Sequence, residues 1–126
     1  MLAWIAMKRA LALAGVLLAA AAAPHPHLNV YFPKGFDDPA WQKAAFDRVL
    51  KNWKPAGLPK PGTKTVLIAI IGRDGKMTGA REHLLSGTPA WDKAAADALR
   101  LSQPFAPLPA SWPQPSAEVH WHFGAE

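Results

Sequence analysis

The chain has 126 residues, formal net charge +5, thirteen prolines, six tryptophans and no cysteine. One domain fits in that length, and the missing cysteines exclude a disulfide, a thiolate metal site and a thiol nucleophile. Without Lys8 and Arg9 the remainder carries 12 basic against 9 acidic residues, a balance too mild to argue for nucleic acid.

The first 23 residues read as a secretory signal. Lys8 and Arg9 supply a basic start, Ala10 to Leu18 an apolar run and Ala19 to Ala23 a small-residue end. Met7 is an alternative start. The apolar run of about 14 residues is short of the roughly 20 needed to span a bilayer, so cleavage is expected. Membrane association would follow only if the leader were retained. Residues 24–37 carry Pro24 and Pro26 and show no period, which reads as a linker.

Asp38-Pro39 opens the first helix as N-cap and first helical residue. Phe46, Val49, Leu50 and Trp53 share one face, flanked by Trp41 and Ala45. Pro55 ends the helix, and a Pro/Gly/Lys loop leads to the most apolar stretch of the mature chain, Thr65 to Ile71. That strand is apolar on both faces, the mark of a central strand. Asp74-Gly75 then signals a hairpin turn, because both residues tolerate positive φ, and Met77 to Leu85 returns as the second strand. Thr88-Pro89 repeats the cap-then-proline start. The second helix carries Trp91, Ala94, Ala95, Ala98, Leu99 and Leu101 as its apolar side and stops at Pro104. In the last strand, Ala117 to Phe123, Val119, Trp121 and Phe123 alternate with Glu118, His120 and His122.

These elements predict an α+β fold, helix-strand-strand-helix-strand, with a three-stranded antiparallel sheet in order 2-1-3 and two helices on one face. That order gives a right-handed crossover. It leaves the last strand at an edge, where unpaired N–H and C=O groups can accept a strand from another chain.

The order of motifs resembles the TonB C-terminal domain family. It runs Trp53-Lys54-Pro55, Ile71-Gly72-Arg73-Asp74-Gly75-Lys76-Met77, Leu85-Ser86-Gly87, Trp91-Asp92-Lys93-Ala94-Ala95, Phe105-Ala106-Pro107-Leu108-Pro109 and Val119-x-Trp121-x-Phe123, covering residues 38–124. The resemblance implies a periplasmic, non-enzymatic module, spanning 38–126 here. Its partner would be an extended segment of an outer-membrane transporter or another cell-envelope protein, added to the last strand. The partner-binding residues would then be Ala117, Glu118, Val119, His120, Trp121, His122 and Phe123, with Trp112 as an exposed anchor beside them. The turns Arg73–Lys76 and Ser86-Gly87 match the family pattern as structural residues. Two departures argue against a full proton-driven transducer. Residues 24–37 reach at most about 45–50 Å when stretched, and no histidine precedes His25.

Other chemistries find less support. No nucleophile elbow, zinc helix or phosphate loop is present, so no catalytic residue, cofactor or metal site is assigned. The alternative reading is a periplasmic metal-binding protein using His25, His27, His120 and His122, paired at i,i+2. A homodimer joined through its edge strands is a further structural possibility. Lys51, Lys54, Lys60 and Lys64 form a basic loop that could attract acidic lipid, peptidoglycan or an acidic partner face.

Overall fold

The computed structural model describes residues 25–126; the leader assigned to residues 1–23 lies outside them. The elements are β1 (Pro26–Tyr31), α1 (Pro39–Asn52), β2 (Lys64–Gly72), β3 (Met77–Leu84), α2 (Pro89–Ser102) and β4 (Ser116–Ala125). They form one antiparallel sheet of four strands, ordered β1-β4-β2-β3, with two helices.

The three-stranded sheet expected from the sequence is therefore corrected to four strands. The added strand is Pro26–Tyr31, from the segment expected to be a linker. Its six residues are too few to show a period beside Pro24 and Pro26. Yet Leu28 and Val30 alternate with His27, Asn29 and Tyr31, and that alternation puts Leu28 into the core. β1 lies along β4, with Pro26 opposite Ala125 and Tyr31 opposite His120. The last strand is consequently internal, with β2 on its other side from Gly72↔Ser116 to Lys64↔Gly124.

Local signals explain the rest. Asp38 caps α1, its Oδ1 accepting the Trp41 N–H at 2.9 Å, and Pro39 follows within the first turn. The buried stripe of α1 is Trp41, Ala45 and Val49 at i,i+4 spacing, followed by Trp53. Leu50, expected in that stripe, is exposed and Phe46 half-buried, because the i,i+4 row is narrower than the apolar set. In α2 the buried residues are Trp91, Ala95, Ala98, Leu99 and Ser102, while Leu101 is exposed. The small Ala95 and Ala98 keep this face low.

Thr88 occupies the N-cap position of α2, but its side chain makes no capping bond. Asp92 does the tying instead: its Oδ1 accepts from Thr65 Oγ1 at 2.5 Å, Ser86 N–H at 3.0 Å and Ser86 Oγ at 2.9 Å. This one carboxylate joins β2, the turn after β3 and the first turn of α2. Burial alone would push its pKa up, but those hydrogen bonds outweigh it and hold the carboxyl below its ordinary value.

The hairpin turn is a structural hub as well. Gly75 takes φ +89°, and a Cβ there would run into the carbonyls of Phe105 and Ala106. Arg73 donates to the carbonyls of Leu108, Pro109, Trp112 and Gln114, which fixes the Pro-rich crossing from α2 to β4.

The core lies between the helices and one sheet face. Leu67, Ala69, Ile71, Ala117, Val119, Trp121 and Phe123 meet Trp41, Val49, Trp53, Trp91, Ala95 and Leu99. Aromatic pairs dominate it. Trp53 stands edge-on to Trp91 and Phe123 at 5.3 and 5.2 Å between centroids, and Phe105 stacks on Trp121 at 6.3 Å.

A candidate strand-addition interface on β4

Backbone direction along β4 follows from a few bonds. Glu126 and His25 exchange both of their backbone hydrogen bonds, while the Ala125 N–H donates to the Thr63 carbonyl at 3.1 Å. In an antiparallel ladder consecutive residues alternate sides. Gly124, His122, His120 and Glu118 therefore turn their N–H and C=O groups toward β1. Phe123, Trp121 and Val119 turn theirs toward β2.

The two sides are not equally filled. The β2 ladder runs the length of β4, whereas the β1 ladder stops at Tyr31↔His120. Among the described residues, the Glu118 backbone groups on the β1 side have no strand partner. Beyond them the Ser116 carbonyl accepts the Trp112 indole N–H at 3.0 Å.

The side chains of β4 divide by face. Ala117, Val119, Trp121 and Phe123 are buried against the helices. Glu118, His120 and His122 lie on the open face, where Tyr31 meets His122 edge-on at 4.7 Å. Val66 and Ile68 share that face and are nonetheless buried, flanked by His122, His120, Leu84 and Arg81. Glu118 contacts Arg81 at 3.2 Å and His120 at 3.3 Å. Burial holds the His122 pKa below its ordinary value, helped by the positive charge of Lys64, His120 and His83.

Two expectations need correction here. Ala117–Phe123 is not a free edge, because β1 occupies the place beside it. Trp112 is half-buried rather than an exposed anchor: its ring lies 5.4 Å from Phe36, and its N–H is spent on Ser116. The histidines of the metal reading do not converge either, for among the described residues no three His, Asp or Glu side chains are grouped to hold an ion. What sequence reasoning missed is β1 itself, together with the open edges it creates. Its alternation of Leu28 and Val30 was the available signal.

An antiparallel sheet of four strands with two helices on one face and a partly open strand side defines a small α+β domain class. The family model described as TonB C terminal matches residues 38–123, and the chain belongs to that family. The match leaves β1 outside it. Neither the curated proteins nor the solved structures contain a match to this chain. Members of the family are envelope-associated interaction domains that meet outer-membrane transporters or other envelope proteins. No helix of the described residues is long and apolar enough to cross a membrane.

Proposed function

We propose that this domain works in the periplasm as a protein-binding module. It takes an extended segment of an outer-membrane transporter or another envelope protein by strand addition to β4 over Ala117–Phe123, with β1 giving way. Trp112 frames the site by capping Ser116. One observation carries this reading: β1 covers β4 only as far as His120 and leaves the Glu118 backbone facing the same side without a strand. A segment can pair there first and then advance toward Gly124 as β1 peels away, so no step exposes the whole ladder at once.

What β1 contributes also supports exchange. It has six residues, of which only Leu28 is buried. The outer edge formed by β3 suits a guest less well. β3 carries Arg81, Glu82 and His83 and departs from regular register twice against β2, both devices that discourage strand addition.

The test is a photo-crosslinking residue placed at Glu118 and, separately, at Thr78 on β3, in cells that make the protein. The expected result is an envelope-protein adduct from position 118 and none from 78. Adducts from 78 alone, or only a second copy of this chain from 118, would overturn the reading.

A further inference from the structure

One end of the molecule is chemically unlike the rest. Between Arg48 and Arg73 the chain contains no carboxylate, but it contains Lys51, Lys54, Lys60 and Lys64. The two arginines are used internally. Arg48 donates to the carbonyls of Ser102 and Pro104, and Arg73 holds the crossing loop. The four lysines are exposed, and none has an ion-pair partner among the described residues.

Lys54 and Lys60 flank Leu58, which is 50% exposed at the tip of the loop. The loop is seated rather than loose. Pro59 is buried, and Gly57, at φ +65°, lies against Thr88 and Ala90 so closely that a Cβ would meet the Ala90 Cβ at 2.9 Å. Leu58 therefore points away from a fixed base and contributes nothing to the core. The carboxylates at this end are fewer: Asp92 is bound by Thr65 and Ser86, Asp97, in the groove it shares with Lys54, pairs with Lys93 and Arg100, and Glu126 lies exposed 3.5 Å from His27.

The same end carries the start of β1. His25 pairs with Glu126, and Gly62 and Thr63 bond to Ala125, which sets the lysine loop beside the point where the described chain begins. In the sequence, the apolar run Ala10–Ala23 ends one residue before Pro24 and two before His25.

We infer that the end formed by Lys54, Leu58, Lys60 and Lys64 docks on the anionic phospholipid headgroups of a bilayer. Lysines without fixed partners around one apolar tip suit a fluid anionic surface. They supply charge without the bidentate geometry that selects a protein carboxylate. Docking there would leave β4 and its β1 side standing away from the lipid at their Ser116 end. This inference does not depend on strand addition.

The absence of cysteine allows the full chain to be labelled at a single introduced site. A fluorophore on Leu58→Cys, and in a second protein on Ala110→Cys in the loop beyond the opposite end of the sheet, would be read against vesicles of phosphatidylcholine with or without phosphatidylglycerol. The vesicles carry headgroup spin labels that quench nearby probes. Expected is quenching at position 58 but not at 110, dependent on phosphatidylglycerol. The combined variant Lys54→Glu, Lys60→Glu, Lys64→Glu should bind at least about 100-fold more weakly, each lost lysine alone counting about fivefold. Raised salt should mimic that variant. Equal quenching at the two sites, quenching indifferent to phosphatidylglycerol, or no change on charge reversal would overturn the inference.

Discussion

The two sides of β4 carry the same kind of hydrogen bond and yet belong to different parts of the molecule. On one side β2 pairs with it from end to end, and β2 is buried on both of its faces. On the other, β1 pairs over six positions, buries only Leu28 and stops short of Glu118. A ladder is only as durable as the side chains that hold its strands together, since the backbone bonds alone net little against water. The β2 side should persist until the whole domain unfolds, and the β1 side should open first.

The largest test of this contrast removes the shared core. Trp121→Ala takes away a fully buried indole that stacks on Phe105. It should cost about 3–5 kcal/mol in denaturant unfolding, abolishing both ladders together. Leu28→Ala acts on β1 alone, at roughly 2–3 kcal/mol for a buried leucine near the edge of the core. Exchange at the amides facing β1 should accelerate more than exchange at those facing β2. Equal acceleration would mean that β1 and β2 open as one unit.

A middle-sized effect belongs to Asp92. Asp92→Ala strands Thr65 Oγ1 and the Ser86 N–H, and should cost about 1–3 kcal/mol. Because the Asp92 pKa is lowered in the folded state, its contribution is present above the ordinary value of 3.8 and lost as pH falls below it. Asp92→Asn should therefore flatten the acid limb of a thermal-stability profile.

The smallest effect is at His122 and has the opposite origin. Its pKa is lowered from 6.5, so below that value the unfolded chain binds the proton more readily and stability declines. The decline begins as pH falls through the mid-six range and levels off below the folded pKa. His122→Gln should remove this slope while leaving stability above pH 7 nearly unchanged, as thermal melts across that range would report.

The parts of the fold that were legible in the sequence are those with strong local physics. Thr65–Ile71 is apolar on both faces because it is internal, Asp74-Gly75 marks the turn, and Asp38-Pro39 marks a helix start. β1 was hidden because a short strand is defined by what it pairs with, and its partner lies some ninety positions away in sequence. The same gap misplaced the open edge, since one added strand turns β4 from outermost to internal. Leu50 and Leu101 misled for a related reason: apolar residues satisfy a helical period whether or not a neighbour covers them. Trp112 could be placed near β4 from sequence order, but not its contact with Phe36, which depends on the fold around β1.

The most direct measurement is amide hydrogen exchange along β4, residue by residue, by NMR under native conditions. A period of two is expected. The amides of His120, His122 and Gly124, bonded toward β1, should exchange through local opening, faster than those of Val119, Trp121 and Phe123, which should require global unfolding. Uniform protection along the strand would show that β1 is as firmly held as β2, and would contradict a β4 side that opens to admit a partner.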